Sequence, residues 1–454
     1  MSYKYQVNMT EGSLLLKMIK FSLPLMLTGT LQLLYNAADV VVVGQFAGTQ
    51  ALSAVGSTGV LINLLVNLFM GLSVGTSVVM SKCFGAYDYD GMQNTLHCSV
   101  AVALVGGFVV GIVGFFACEP LLQLMQTPDD VIGLSTLYMK IFFIGMPFNM
   151  LYTFGSAVLR AVGDTKRPLY FLSVAGVINV LLNLLFVIVF QMSVAGVAIA
   201  TITAQAVSAV FILRSLLKSE GPLNLDVKKI KIHKDKLILL IKIGLPAGIQ
   251  GCFFSFSNIL IQSSINGFGS IAMAGNAASG NLEGFVYTSM NAVSQATVTF
   301  TSANFGGKEY KRVKKIFWYT AGLVIAVGLL ISGIIMLFST QLISLYNSDP
   351  DVIAIGIERI FSICSLYFLC GLMEVCVGQL RGIGYSFMPM IVTLCGVCLV
   401  RVVWIYTVFQ ANPSLDILYL SYPVTWTITV LAHFLTYMII AKKKLNPQNQ
   451  LKNT

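Results

Sequence analysis

Charge is scarce in this chain: only 10% of its 454 residues are Asp, Glu, Lys or Arg, less than half of what water-soluble domains carry on average. That scarcity excludes the two or three soluble domains that the length alone would suggest. Histidine is scarcer still, three in all, and two of them, His97 and His233, fall in or near polar connections, so no zinc-ligating spacing forms and no metal site is expected. Nothing reads as a hydrolase nucleophile elbow or an ATP-gripping Walker loop, which leaves an integral-membrane enzyme without catalytic residues and transport without ATP drive. The strict apolar-polar alternation of an outer-membrane strand is also missing. No small-residue cleavage site closes a short apolar segment near the start, so the run from Phe21 is expected to be a spanning helix and not a leader. The nine cysteines lie almost wholly in apolar stretches, without metal spacing, and read as small buried thiols.

What fills the chain instead is hydrocarbon. Hydrophobic residues make up 56%, and the mean hydropathy is +0.83. A bilayer core of about 30 Å takes roughly 20 apolar residues per helix. Twelve such stretches lie between the charge clusters, at 21–44, 58–80, 96–117, 134–158, 169–190, 194–217, 238–265, 277–303, 316–338, 353–379, 388–409 and 416–440. They are continuous and contain Gly and other small residues, so the expected class is an all-α polytopic membrane protein whose backbone is satisfied within each helix.

The net charge of +10 does not point to nucleic acid, because the basic residues collect on one side. Even-numbered connections carry Lys82, Arg160, Lys166, Arg167, the 214–242 cluster, the 308–315 cluster and Arg381, and both termini add more, from Lys4 to Lys452. The positive-inside rule then places both termini in the cytoplasm, as an even helix count requires.

Sliding the chain along itself reveals a duplication with a shift of 221 or 222 residues. Pro24 falls on Pro246, Asn36 on Asn258, Gly48 on Gly269 and Gly85 on Gly306; a Leu-Arg-x-x-Gly-x-x-x-x-Pro segment at 159–168 recurs at 380–389. Six spans per half give parallel repeats, an organisation that places a substrate site near the midplane and alternates access by rocking one bundle against the other. The expected domains are 1–217 and 237–454, joined by a basic cytoplasmic linker at 218–236.

Ionisable groups within hydrocarbon cost about 2.5–3.5 kcal/mol each on insertion scales, so each demands a reason. Asp39, Glu283, Glu374 and Arg401 fall deep in predicted spans, whereas Lys140, Glu358 and Arg359 are close enough to span ends to snorkel. Asp39 shares a stripe with Thr28, Gln32, Tyr35 and Asn36, at spacings of three or four, so one face of the first span is polar. A desolvated carboxyl there suits a site that loads and releases a proton or trades it for a cation; the competing reading is interhelical glue. In the fifth span Asn179 and Asn183 share a face and could join Asp39 in a network. Asn276, Gly280, Glu283, Tyr287 and Asn291 make a second polar face, centred on Glu283. Counted at 1.5 Å per residue from Arg381 and Pro389, Glu374 is about 10 Å deep and Arg401 about 18 Å, so the two either pair or serve binding. The Met and aromatic residues suit an adaptable apolar chamber, although most of them face lipid or other helices.

These residues resemble the multidrug and toxic compound extrusion family over nearly the whole chain. The resemblance is carried by Pro24, Gln32-Leu-Leu-Tyr-Asn-Ala-Ala-Asp39 and Val43-Gly44, Gly85-Ala-Tyr-Asp88, Leu159-Arg-Ala-Val-Gly-Asp-Thr-Lys-Arg-Pro168, and their second-half echoes. It implies a V-shaped pair of bundles in a bacterial plasma membrane that extrudes drugs and metabolites in exchange for protons or sodium ions. It also implies that Asp39 is the coupling aspartate and Pro24 a point where the first helix bends. Two departures stand out: some similar proton-coupled members have an aspartate where this chain has Asn183, and sodium-coupled ones have a glutamate where it has Phe254 and Ser255.

The function expected is therefore a secondary antiporter that exports small organic, often cationic, compounds. Its cation-coupling and substrate-binding candidates are Asp39, Asn36, Gln32, Asn179, Asn183, Glu283, Tyr287, Glu374 and Arg401, with Pro24 as the bend. No catalytic residue and no cofactor beyond H+ or Na+ are expected. The expected partners are the substrate, the coupling cation and membrane lipids, with no nucleic acid, and the expected state is a monomer. A lipid or lipid-linked precursor flippase is the alternative, which a cavity rich in basic groups would favour. A simple channel fits the two-lobed plan with buried acids less well.

Overall fold

The architecture is seen in a computed structural model that describes residues 7–125 and 127–445; Lys4 and Lys452, counted above among the basic flanks, lie outside that range. Among the described residues there is helix and no strand, the outcome that hydrocarbon imposes when no water is present to satisfy the backbone. The first half contains α1 (Leu14–Phe46), α2 (Thr49–Gly85), α3 (Tyr89–Leu124), α4 (Asp129–Ile144), α5 (Met146–Ala161), α6 (Lys166–Asn183), which runs on into a π-helical turn at Leu184–Val189, and α7 (Ser193–Leu217). The second half contains α8 (Lys234–Asn266), α9 (Ser270–Gly306), α10 (Tyr310–Leu337), the short α11 (Ser339–Ser344), α12 (Pro350–Cys364) and α13 (Phe368–Ile383). It ends with α14 (Phe387–Thr393), α15 (Val400–Trp404) and α16 (Leu415–Lys444), with π-helical turns on both sides of α15 at Leu394–Leu399 and Ile405–Phe409.

The duplication is visible element by element. Helices α2 and α9 are both 37 residues long, and their first residues, 49 and 270, differ by 221. The corner glycines that anchor the sequence repeat are those whose backbone needs positive φ: Gly48 (87°) and Gly269 (92°), then Gly163 (91°) and Gly384 (107°). Any side chain is disfavoured in that region.

Nine helices among the described residues are long and apolar enough to span a bilayer, and two bent pairs, α4 with α5 (49°) and α12 with α13 (44°), bring the number to eleven. Pro147, at the start of α5, accounts for the first bend. The twelfth is α9, the repeat partner of α2, whose apolarity is lowered by the polar face around Glu283. Large apolar side chains cover the outside, among them Phe116 (74% exposed) and Leu330 (65%), a surface that only lipid tolerates.

The chain divides into two compact units, Met1–Val7 with Thr30–Leu245, and Asn8–Gly29 with Pro246–Thr454. These dividing points differ from the expected 1–217, 218–236 and 237–454, because the basic segment is not a free linker. Leu223 and Leu225 are buried within the N-terminal unit, the Asp226 N–H donates to His97 Nε2 at 3.1 Å, and glycines Gly75 and Gly244 bring α2 and the start of α8 into backbone contact. In the same way the start of α1 belongs to the C-terminal unit, where Phe21 meets Phe300 edge-on at 5.5 Å and the Asn304 amide donates to the Met9 carbonyl. Helix α1 runs unbroken through Pro24; the Thr28 hydroxyl donates to the Pro24 carbonyl at 2.7 Å.

The segment Gly71-Leu-Ser73-Val-Gly75 does have the spacing of a hydrolase elbow. It lies inside α2, with no strand before it, and the Ser73 hydroxyl donates to the Met70 carbonyl one turn back, so the nucleophile geometry is missing.

Candidate functional site

Each unit carries in its interior a polar cluster that contains a carboxylate of a predicted polar face. In the N-terminal unit, Asp39 of α1 is half-buried and accepts a hydrogen bond from the Asn183 amide. Asn183 is wholly buried at the last α-helical position of α6, immediately before the π-helical turn. Such turns shift the register of a helix by one residue and are frequent at functional sites. The Asn183 amide also lies 3.4 Å from Asn179 Oδ1, and the Asn179 amide donates to the Thr201 hydroxyl of α7 at 3.4 Å. The Thr201 hydroxyl itself donates to the Val197 carbonyl at 2.9 Å. Tyr138 of α4 is near enough for the Asp39 charge to act on it.

Every partner of Asp39 is neutral; no ion pair involves this carboxylate among the described residues. A carboxylate held by neutral donors and not cancelled by a fixed cation remains free to take up a proton or a metal cation. Gln32 and Asn36, on the same stripe, are exposed. Tyr35 donates to the Ser173 carbonyl at 3.3 Å, and its ring lies against Gly176, where a side chain would collide with it.

The cluster of the C-terminal unit has another electrostatic design. Glu283 of α9 is gripped by Arg359 of α12, Nε to Oε1 at 2.7 Å and Nη2 to Oε2 at 3.0 Å. The third guanidinium nitrogen donates to Asn276 Oδ1 at 2.7 Å, whose amide in turn donates to the Tyr419 hydroxyl. Arg359 is 7% exposed and Glu283 6%, which corrects the expectation that Arg359 snorkels from a span end. The acid at the centre of the α9 face is thus neutralised in place. Tyr287 packs against the core of this unit, and Asn291 Oδ1 accepts from the Gln295 amide at 2.9 Å.

Arg401 of α15 is fully buried. It does not pair with Glu374, as one sequence reading held: no ion pair joins them among the described residues. Arg401 Nη1 instead donates to Asn258 at 2.9 Å, and its guanidinium lies 4.3 Å from the Tyr422 ring centroid. The cation acting on Glu374 is Arg381, and the Glu374 backbone carbonyl accepts from Ser294.

The predicted residues are therefore brought together in part: Asp39 with Asn179 and Asn183, Glu283 with Asn276, while Glu374 and Arg401 go separate ways. Sequence reading missed Thr201, Arg359, Tyr419 and Tyr422. For Arg359 the repeat held a signal, because 359 − 221 = 138 sets it opposite Tyr138, which is 8% exposed in the first unit. By the same shifts Arg401 stands opposite Asn179 (401 − 222) and Tyr422 opposite Thr201 (422 − 221).

The model of one protein family, MatE, matches the chain twice, at residues 24–185 and 246–407. The chain belongs to the MatE family. The two matches are 222 residues apart and restate the internal repeat. This MatE chain is 30% identical over 386 residues to the probable multidrug resistance protein YpnP of Bacillus subtilis, covering 85% of the chain and 86% of YpnP. It is 21% identical over 378 residues to the multidrug export protein MepA of Staphylococcus saprophyticus, covering 82% and 83%. Among solved structures, a MOP superfamily transporter from Pyrococcus furiosus, described as having a binding pocket of reversed polarity, superimposes with a TM-score of 0.92 at 20% identity, over 98% of this chain and all of that one. The outward-facing form of a multidrug resistance MATE family transporter gives 0.91 at 21%, over the full length of both chains. The chain is thus a multi-pass membrane transporter of the multidrug extrusion family and not an enzyme.

Proposed function

We propose that this MatE transporter exports small organic compounds from a bacterial cell, working as a monomer in the plasma membrane with both termini in the cytoplasm, and that Asp39 couples export to the entry of H+ or Na+. One observation carries the reading: Asp39 is a half-buried carboxylate inside a spanning bundle, held by the neutral Asn183 amide and joined by no ion pair among the described residues. Burying a charge in that way is expensive, and exchanging one cation for another is a function that justifies the expense. The Asn183 amide, wholly buried, fixes the orientation of the carboxylate without cancelling its charge, and the π-helical turn beside it provides a place where the register can change as the site alternates. No prosthetic group enters this mechanism, and the basic flanks are read as lipid-facing anchors, not as a nucleic-acid surface.

The test is efflux of a fluorescent cationic dye from proteoliposomes under an imposed proton gradient or, separately, a sodium gradient. Wild type is expected to respond to one of the two and Asp39→Asn to neither. Gradient-driven efflux that is equal in both proteins removes Asp39 from the mechanism.

The flippase reading gains from one finding. Arg359, which the sequence places near a span end, is buried beside Glu283, so among the described residues a second guanidinium besides Arg401 lies in the interior. Scrambling of a fluorescent anionic lipid by the same vesicles would favour that alternative.

A further inference from the structure

The two buried arginines of the C-terminal unit are alike in setting and unlike in partners. Both face the Tyr422 ring, Arg359 at 5.7 Å and Arg401 at 4.3 Å, and both donate through Nη1 to an asparagine, Asn276 and Asn258 respectively. The difference lies along the guanidinium edge formed by Nε and Nη2, whose two N–H bonds run parallel and match the two oxygens of a carboxylate or phosphate. In Arg359 that edge is taken by Glu283. In Arg401 the same two atoms are buried and have no hydrogen-bond partner among the described residues. Glu374, the other acid in this unit's interior, does not fill it.

A buried guanidinium with two idle donors costs far more than one that is fully paired, and its ring contacts with Tyr422 and Phe254 offset only part of that cost. Arg401 also sits on a five-residue α-helical segment between two π-helical turns, so the backbone on both sides of it departs from the regular ladder and can change register. From this geometry we infer that Arg401 is an anion-recognition point, and that its Nε and Nη2 edge binds a carboxylate or phosphate group on the exported compound. Asn258 holds the guanidinium from the opposite side and Tyr422 forms the floor. The inference rests on the export reading for the word exported, whereas the anion site itself stands on the C-terminal unit alone. It makes compounds with an acidic group, zwitterions included, substrates beside purely cationic ones.

The experiment uses purified full-length protein in detergent and reads binding, so that its outcome is independent of the efflux assay. Benzoate and phenyl phosphate are titrated against the melting temperature, with neutral benzamide as the matched control, chloride as the inorganic control and phosphatidate in mixed micelles as the lipid control. The expected result is a saturable rise with benzoate or phenyl phosphate and none with benzamide, together with a dissociation constant about tenfold weaker in Arg401→Lys, which keeps the charge and loses the parallel edge. Arg401→Gln should show no rise, and Arg401→Lys carries the comparison if that variant does not fold. Equal binding by wild type and Arg401→Lys overturns the proposal, as does a response to chloride or to phosphatidate without one to the soluble organic anions. Absence of binding by every probe overturns it too.

Discussion

Arg359 holds both oxygens of Glu283, at 2.7 and 3.0 Å, in an interior where neither side chain is more than 8% exposed. Loss of either partner strands a charge in a place that water reaches poorly. Arg359→Gln or Glu283→Gln is expected to destabilise the protein by about 3–5 kcal/mol. The double variant should recover much of that loss, because it leaves no isolated charge. Thermal unfolding of the four proteins in one detergent checks this; strictly additive losses would show that the two groups do not depend on each other.

The Asn183 amide is the donor that orients Asp39. Asn183→Leu keeps the branched shape and removes the donor, so gradient-driven dye efflux should fall by about tenfold while the protein still folds. Initial efflux rates, normalised to the amount of protein reconstituted, give the comparison, and a wild-type rate would remove Asn183 from the site.

Gly176 leaves room for the Tyr35 ring, and a methyl group there collides with it. Gly176→Ala is expected to cost about 1–3 kcal/mol through overpacking. The cost should largely vanish when Tyr35 is also replaced by Ala. Melting temperatures of the single and double variants decide, and an undiminished penalty in the double variant points to another clash.

Asp164, wholly buried, accepts the Lys166 and Arg167 N–H groups at the start of α6 at 3.2 and 3.1 Å and pairs with the Arg167 side chain, which reaches on to Ser215 of α7. Asp164→Ala should cost about 2 kcal/mol, the value of a helix cap with charge-assisted bonds. Chemical denaturation measures it; a change under about 0.5 kcal/mol, the size of an ordinary surface substitution, contradicts the assignment.

Much of this architecture was legible in the sequence because the bilayer imposes it. Long apolar runs fix the spans, and the corner glycines with positive φ recur 221 residues apart because each repeat turns the same corner. The polar stripe of Asp39 and the shared face of Asn179 and Asn183 were readable from helical spacing alone. What escaped was pairing between helices. Arg359 lies six residues inside the predicted 353–379 span, near enough to its end to reach the interface, yet its guanidinium turns inward and is buried against Glu283. The depths of Glu374 and Arg401 leave room for them to pair, but depth along two helices does not give how those helices are turned towards each other, and Arg401 turns to Asn258 and Tyr422. The packing of the 218–236 segment was likewise hidden, because its basic residues read as a solvated loop, whereas Leu223 and Leu225 are buried.

The central claim is that Asp39 exchanges one cation for another. Its most direct measurement is ion movement itself: proteoliposomes carrying a pH-sensitive dye, or a sodium-sensitive one, receive a cationic substrate, and counter-movement of the ion is followed. Wild type should move H+ or Na+ in proportion to the substrate carried, and Asp39→Asn should move neither. Substrate-dependent ion movement in Asp39→Asn at the wild-type rate would contradict the account.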